Sequence, residues 1–394
     1  MAWTSRERVV AALEHREPDR VPVDLNPLLD SYTKLKSFLG LEIKCEDLKP
    51  TSFGEVIPHP QVLDALGVDL IAVKLGSPKK SAQSPVRDGL VMDEWGVGYR
   101  RIHQPGGGSY LEAVFHPLAE ASMEDLQEYP WPDPHAPGRE DGVEATARRL
   151  YEDTNLALVG RFGGPIVEVA LNMMGFENWL MAVVAQPDFA RALLDRIGDI
   201  QIALDRIGLE ATAKYLQILK LSGDDFGMQT GPLYSPRTFQ EVLLPSTRRR
   251  WQAARAFLDQ ANPSVQLMFH CCGGIRPFIP ALIEAGLQVL DPVQPRATGM
   301  DSADLKRDFG DRLTFHGGVD EQHVLPFGSE ADVEAEVRLR IQAFGAGGGY
   351  ILAPSHFVQA DTPPANIVAM CHAAHEYGRY DARVTDRPNR SMRD

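Results

Sequence analysis

"QLMFHCCGGIRPFIPALIEAGLQVLDPVQ", residues Gln266–Gln294, contains one complete unit of the fold that we predict for this chain. An apolar run ends at His270-Cys271-Cys272, an amphipathic segment follows, and a second apolar run ends at Asp291. Short, nearly continuous apolar runs are typical of strands buried on both faces, and the intervening periodicity predicts a helix. The stretch therefore predicts two parallel strands connected by a crossover helix.

The same alternation of strand and helix continues over most of the 394 residues. Eight parallel strands, each followed by a helix or a longer connection, predict an α/β fold closed as a (β/α)₈ TIM barrel. The predicted strands are Val21–Leu25, Val68–Leu75, Leu156–Arg161, Tyr215–Ser222, Val265–Phe269, Gln288–Leu290, Leu313–Phe315 and Tyr350–Ala353.

Residues 76–155, between predicted strands two and three, break this alternation. Here "GLVMDEWGVGYRRIHQPGGGSYLEAVFHP" alternates like a hairpin, and "YPWPDPHAPGRE" has the proline content of a loop. We predict a single domain over residues 1–380 with a long excursion at 76–155 over the barrel mouth, followed by a polar tail at 381–394. A separate small domain is the alternative.

The composition narrows the possible partners and location. Forty basic against 54 acidic residues give a formal charge of −14, which argues against nucleic acid as the main partner. Four cysteines are too few for a disulfide scaffold. The sequence has neither an apolar signal core at its start nor an apolar run of bilayer length, so we expect a cytoplasmic protein with reduced thiols and no membrane contact. A homo-oligomer remains open.

Polar side chains follow the predicted strands, where the catalytic groups of TIM barrels lie. We expect Asp225, His316 and His356 to be catalytic. For two of the polar residues a structural role is the alternative: Asp224 as a helix cap and His316 as a buried histidine above the Gly317-Gly318 turn. The remaining candidates, expected to bind substrate, are Asn26, Arg161, Asp224, Gln229, Gln294 and Gln359.

A metal site is one interpretation of "HCC" after the fifth predicted strand. In an extended segment His270 and Cys272 point to the same side, and His356 after the eighth strand supplies a third candidate ligand. Histidine and cysteine with an open fourth position suit catalytic zinc better than magnesium. In the alternative interpretation, the two cysteines are small buried hydrophobic residues and His270 is satisfied by a backbone carbonyl. Cys271 is expected to point into the barrel wall.

Several longer motifs together resemble the uroporphyrinogen decarboxylase superfamily over residues 4 to about 380. They are "TSRERVVAALEHREPDRVPVD", "DEWGVGYRR", "YPWPDP", "GFENWLMAVVAQPDFARALLDRI", "SGDDFGMQTGPLYSP", "HCCGGIRPFIPALIEAGLQVLDPVQ", "FHGGVD" and "GGGYILAPSHFVQADTPPANIVAM". The resemblance implies a TIM barrel, in agreement with the eight predicted strands.

The superfamily has two main branches, and the first consists of metal-free decarboxylases. Their N-terminal arginine pattern, R-Q-A-G-R, binds the carboxylates of the porphyrinogen substrate. The matching stretch here, "VDLNPLLDSYTKLK", contains no arginine. His356 lies where that branch has a histidine after strand eight, so a metal-free decarboxylase of a tetrapyrrole or another carboxylated compound is the alternative function.

The second branch consists of cobalamin-dependent methyltransferases, and this chain resembles it in the H-x-C-G motif at His270–Gly273. The resemblance implies that His270 and Cys272 bind zinc. Many members supply a third ligand from a P-G-C pattern after strand eight, where this chain reads Pro354-Ser355-His356. This branch works with methylcobalamin, which we expect to arrive on a separate corrinoid protein.

The sequence therefore predicts a zinc-dependent methyltransferase that moves a methyl group between a small-molecule donor or acceptor and that corrinoid protein. A non-catalytic binding protein on the same barrel is a further alternative.

Overall fold

The computed structural model describes residues 2–43, 54–79, 89–103 and 109–380; the predicted polar tail at 381–394 lies outside them. The strands are β1 Leu70–Lys74, β2 Val91–Met92, β3 Gly98–His103, β4 Ser109–Phe115, β5 Ala157–Arg161, β6 Ile218–Gly223, β7 Gly227–Met228, β8 Gly231–Pro232, β9 Gln266–His270, β10 Val289–Val293, β11 Thr314–Val319 and β12 Tyr350–Pro354.

The helices alternate with these strands. They are α1 Ser5–Leu13, α2 Leu29–Phe38, α3 Pro60–Leu66, α4 Met123–Glu128, α5 Val143–Asp153, α6 Val167–Met174, α7 Phe176–Ala185, α8 Pro187–Thr212, α9 Pro236–Thr238, α10 Leu244–Ala261, α11 Ile279–Ala285, α12 Ser302–Phe309, α13 Val324–Phe327, α14 Glu330–Phe344 and α15 Pro364–Tyr377. A π-helical turn, Phe239–Leu243, joins α9 to α10. In the described part of the chain, no helix has both the length and the apolar run needed to cross a membrane.

Seven strands form one parallel sheet in the order β1-β5-β6-β9-β10-β11-β12. Each pair of neighbours is connected through helices, as the strand–helix–strand pattern predicts. The predicted α/β class with a parallel sheet is confirmed, and the architecture is TIM-barrel-like; the closed eight-stranded barrel stays a prediction. Seven of the eight predicted strands correspond to strands of the sheet.

The first predicted strand, Val21–Leu25, is not a regular strand. It makes a single parallel bridge, Val23 to Leu352 of β12, and the Asp24 N–H donates to the Leu352 carbonyl at 2.8 Å. Pro22 has no N–H, so the ladder cannot continue towards the amino end of this segment. The segment nevertheless runs beside β12, where the closing strand of a barrel is expected.

The inner face of the sheet changes in character along the strands. At the amino ends, inward side chains of β1, β5, β6, β9, β10 and β12 form an apolar cluster with Val9 and Leu13 of α1. Since side chains on one face recur every second residue, further inward positions lie nearer the carboxyl ends. They include the ionisable residues Lys74, Arg161, Lys220, His270 and Asp291.

Residues 76–155 contain two different kinds of structure. β2, β3 and β4 form a separate antiparallel sheet, as the hairpin-like alternation predicts. Helix α5, in contrast, packs on β1, β5 and α8 as a regular helix of the outer layer. The departure from strand–helix alternation is therefore confined to the part of this stretch before α5.

Candidate metal centre

The ends of β9 and β12 bring three predicted ligands together. His270 is the last residue of β9, Cys272 follows two residues later, and His356 lies two residues beyond β12. Their ligand atoms all lie within 4.8 Å of one another, and His270 Nε2 is 3.2 Å from Cys272 Sγ. Ligand atoms around a tetrahedral zinc lie roughly 3.3–3.8 Å apart, so adjustments of about 1 Å would complete a three-ligand site.

His270 is oriented by a carboxylate behind it. Its Nδ1 lies 2.8 Å from Asp291 Oδ2, an acceptor, so Nδ1 donates to the carboxylate and Nε2 is the ring nitrogen on the side of Cys272. The backbone at the end of β6 approaches the ring closely, since a Cβ on Gly223 would be 2.5 Å from the His270 ring. Imidazoles held by a carboxylate in this way are the usual form of zinc-binding histidine.

Asp291 is the centre of a buried ionic network. Besides His270 it contacts Lys220 Nζ at 2.6 Å and His316 Nδ1 at 2.6 Å, and His316 Nε2 contacts Asp24 at 3.0 Å. Burial would raise the pKa of Asp291, but Lys220 and His316 outweigh it and lower that pKa well below its usual value. Burial would lower the pKa of His316, but Asp291 and Asp24 raise it to about 9.

The contacts in this network leave Nε2 of His270 directed at Cys272 Sγ, 3.2 Å away. Lys220 and His316 lie against the two carboxylates Asp24 and Asp291. Both ring nitrogens of His316 are already engaged, which favours a positioning role over direct contact with substrate.

The other two ligands also have surroundings that suit a cation. Burial, and secondarily His270, lowers the pKa of His356 to about 4, so its ring is neutral at pH 7. Burial, and secondarily Asp225, raises the pKa of the Cys272 thiol. A divalent ion would reverse this second shift, because it stabilises the thiolate that binds it. These donors therefore fit a zinc ion by their chemistry as well as their spacing.

Two of the predicted substrate-binding residues hold backbone instead. Asp224 Oδ1 accepts the N–H groups of Ile166, Val167 and Glu168 at 2.6–3.0 Å, so Asp224 caps the start of α6. Gln294 Oε1 accepts the Gly273 N–H at 2.8 Å and thereby holds the loop that carries Cys272.

The other predicted residues lie at various depths. Asp225 is exposed and accepts the Cys272 N–H at 3.0 Å, which places it beside the three ligands. Asn26 donates to Asp24 at 3.2 Å, and Arg161 pairs with Glu55. Gln229 and Gln359 are exposed.

Sequence reasoning missed three charged residues near the strand ends. Lys220 had a signal, because a lysine inside "QILKLSG" interrupts a strand predicted to be buried on both faces. Glu55 had no sequence signal. It pairs with Lys74 at 2.6 Å and with Arg161. Burial alone would raise the pKa of Glu55, but these two cations lower it to about 2. Glu168 had none either, since its surroundings depend on contacts far apart in sequence.

Comparison with known proteins agrees with this architecture. A family model described as uroporphyrinogen decarboxylase (URO-D) matches residues 106–377. Uroporphyrinogen decarboxylases from Yersinia pestis and Proteus mirabilis are each 24% identical to the chain, over 283 and 288 residues. Each match covers 70% of this chain, and 75% and 74% of the respective relative.

Among solved structures, a methyltransferase from Methanosarcina mazei is similar, with a TM-score of 0.61 and 18% identity. The match covers 95% of this chain and 99% of that protein. At this level of identity the similarity concerns the fold.

Proposed function

The chain belongs to the uroporphyrinogen decarboxylase family, and from this premise and the geometry of its strand ends we propose that it is a zinc-dependent methyltransferase. The proposed reaction moves a methyl group between a small molecule and a corrinoid carried by a separate protein. The observation that carries the proposal is the convergence of His270, Cys272 and His356 to within 4.8 Å, with Asp291 behind His270. The similarity in fold to the Methanosarcina mazei methyltransferase supports it.

In this proposal His270, Cys272 and His356 hold the ion. Bound zinc would supply Lewis acidity, which either lowers the pKa of an acceptor thiol or polarises the oxygen, nitrogen or sulfur of a methyl donor. Two neutral imidazoles and one thiolate leave the site with a net positive charge, and this favours polarisation of a donor.

The residues of the chain have separate tasks in this proposal. Asp291 and its partners Lys220 and His316 fix the ring of His270, while Gln294 fixes the loop of Cys272. Asp225 is exposed next to the ligands and is placed to orient a small substrate. We assign the β2–β4 region a role in covering the site or receiving the corrinoid protein. The three cysteines that the structure describes are free thiols, which fits a cytoplasmic location.

A metal-free decarboxylase remains the second candidate, because the curated relatives that match are uroporphyrinogen decarboxylases. The cations that could bind a substrate carboxylate, Lys74 and Arg161, are both paired with Glu55. A substrate with several carboxylates would have to displace this glutamate from a site where its charge is strongly stabilised.

The two neighbouring cysteines provide a matched test. We expect about one zinc per chain in the purified protein and in Cys271→Ala, because the buried Cys271 faces the Phe226 N–H at 3.4 Å rather than the ligands. Cys272→Ala should lose most of the zinc. Formation of methylcobalamin from cob(I)alamin and a panel of methyl donors should fall at least 100-fold in Cys272→Ala and about two-fold or less in Cys271→Ala.

Absence of zinc from the wild type after reconstitution would remove the proposal. Decarboxylation of uroporphyrinogen by protein stripped of metal would favour the second candidate instead.

A further inference from the structure

A cavity separate from the candidate metal centre lies between the β2–β3 hairpin and the start of α6. Its volume is about 270 Å³, and its wall comes from residues 77–78, 91–99, 111 and 165–172. This volume is below the usual range for drug-sized ligands, so the cavity suits a small ligand. The three predicted zinc ligands do not line it.

The wall of this cavity is acidic and aromatic. It contains three carboxylates, Asp93, Glu94 and Glu168, and the rings of Trp95 and Tyr99. Among the described residues, no lysine, arginine or histidine lines it. An anionic ligand would be repelled here, whereas a cation would be attracted by the carboxylates and by the ring faces.

The turn that presents the two aromatic rings is rigidly built. Asp93 accepts the backbone N–H groups of Trp95 and Val97, each at 2.9 Å, and the Tyr99 hydroxyl at 2.9 Å. Trp95 also packs edge-on against Trp131, with ring centroids 6.4 Å apart. The carboxylate of Asp93 is therefore occupied by the protein itself and serves to place the rings.

Glu168 differs from Asp93 because its carboxyl group has no hydrogen bond or ion pair with any residue that the structure describes. The charged groups that act on it most strongly are the carboxylates Asp225 and Asp224, which are repulsive. Burial and these two neighbours raise the pKa of Glu168 to about 8. A largely buried carboxyl group without a partner is costly in a folded protein, and Glu168 lines the cavity, where a ligand could supply that partner.

We propose that this cavity binds the ammonium group of a small molecule, with Glu168 as its counter-charge and Trp95 and Tyr99 as the rings around its alkyl substituents. A tertiary or quaternary ammonium ion fits better than a bare ammonium, because ring faces bind the alkyl groups around the charge. Asp93 and Glu94 add to the negative potential without needing to touch the ligand.

Asp225 interacts electrostatically with both the cavity and the candidate metal centre. Its charge helps to raise the pKa of Glu168, and its carboxylate accepts the Cys272 N–H at 3.0 Å. Interpreting the ammonium ion as part of the substrate rests on the proposed methyltransferase function; it would then be a methylated amine. The binding site itself stands on the cavity alone.

Choline and its uncharged carbon isostere, 3,3-dimethylbutan-1-ol, test the proposal by titration calorimetry on the full chain loaded with zinc. We expect choline to bind at least ten-fold more tightly than the isostere. Glu168→Gln should reduce the affinity for choline at least ten-fold. The control Glu177→Gln, which changes an exposed carboxylate on α7 outside the cavity, should leave the affinity within about two-fold.

Equal binding of the two ligands, or no binding of choline to the wild type, would overturn the proposal without depending on how any variant folds. The same titration on Cys272→Ala separates this site from the metal centre. Retained choline affinity in that variant supports the cavity even if the zinc proposal fails. Loss of choline binding there, with Glu168→Gln unaffected, would place the ligand on the metal and remove the cavity site.

Discussion

Two buried carboxylates at opposite ends of the sheet make similar contacts but have different consequences. Asp69, just before β1, is fully buried and binds Arg8 at 2.7 Å, Arg20 at 2.7 Å and the Val23 N–H at 2.8 Å. Asp291, at the centre of β10 and level with the last residue of β9, is 3% exposed and binds one lysine and two histidines.

The difference lies in the partners. Both arginines of Asp69 end in further protein contacts, since Arg8 also pairs with Asp19 and Arg20 donates to the Gly67 carbonyl. The network at the amino ends is therefore closed and ties the first residues of the chain to the sheet. Asp291 instead contacts His270, whose second ring nitrogen faces Cys272 Sγ at 3.2 Å, so in the proposed function this network orients a metal ligand.

Glu168 completes the comparison as a desolvated carboxyl group with no cation among the described residues. Asp69 lies between two arginines, and Lys220 and His316 lower the pKa of Asp291, whereas burial and two neighbouring carboxylates raise the pKa of Glu168. In our proposals Asp69 stabilises the fold, Asp291 orients a metal ligand, and Glu168 binds a cation that would favour its ionised form.

The largest expected effect is on stability, from Asp69→Asn. This change leaves two buried guanidinium groups without their shared carboxylate, so the free energy of unfolding should fall by about 3–5 kcal/mol in urea denaturation. Asp19→Asn is the control: Asp19 is more exposed, with 38% of its side chain accessible, and its loss should cost about 1 kcal/mol or less. Equal losses in the two variants would contradict the closed network.

Asp291→Asn should act on the metal. Removing the carboxylate that orients His270 should raise the dissociation constant for zinc about 10–100-fold, measured by competition with a chromophoric chelator. Asp69→Asn serves as the control for general destabilisation and should leave zinc affinity within about two-fold. A similar loss of zinc affinity in both variants would show that Asp291 acts only through stability.

Glu168 should give the protein a distinctive pH dependence. Its pKa rises from 4.5 in the unfolded chain to about 8 in the folded protein, so the folded state holds one extra proton between these values. Stability should therefore fall as pH rises through this window, by up to about 1.4 kcal/mol per pH unit from this group. Glu168→Gln should remove this pH dependence. The free energies of unfolding of the variant and the wild type, measured from pH 5 to 8, should therefore diverge. If the two free energies change in parallel with pH, the prediction is wrong.

The smallest expected effect comes from a pair of glutamines. Gln288 accepts the Leu267 N–H at 2.9 Å near the start of β9, and Gln294 accepts the Gly273 N–H at 2.8 Å beyond its end. Alanine at either position should cost about 0.5–1.5 kcal/mol of stability. Only Gln294→Ala should also weaken zinc binding, by a few-fold, because only that bond holds the loop of Cys272; equal zinc affinities would argue against this role.

Much of the fold was predictable because strand burial and helix periodicity are local properties of the chain. Seven predicted strands correspond to the sheet, and the antiparallel β2–β4 region was predicted from alternation. The exception is Val21–Leu25, where Pro22 limits strand pairing. The prediction followed the apolar pattern of this segment and gave the proline too little weight. At the candidate site, His270, Cys272 and His356 were selected from their positions after strands, and they lie close together.

The remaining features of the site depend on strand register. Parallel pairing sets Asp291 of β10 opposite His270 of β9, and only this alignment lets one carboxylate serve His270, His316 and Lys220 together. The backbone contacts of Asp224 and Gln294 also depend on the fold, because N–H groups of neighbouring segments approach their side chains.

The sequence by itself determined which segments form strands and helices and which chemical groups stand at the strand ends. Periodicity and residue type suffice for that, because each acts over a few neighbouring residues. Tertiary structure alone decided which of those groups share a charge, since Coulomb energy and desolvation depend on distances between segments remote in the chain. That is why Glu168 emerged only from the folded molecule, and why the partners of Lys220, although this lysine stands out within its apolar strand, could not be assigned from the sequence.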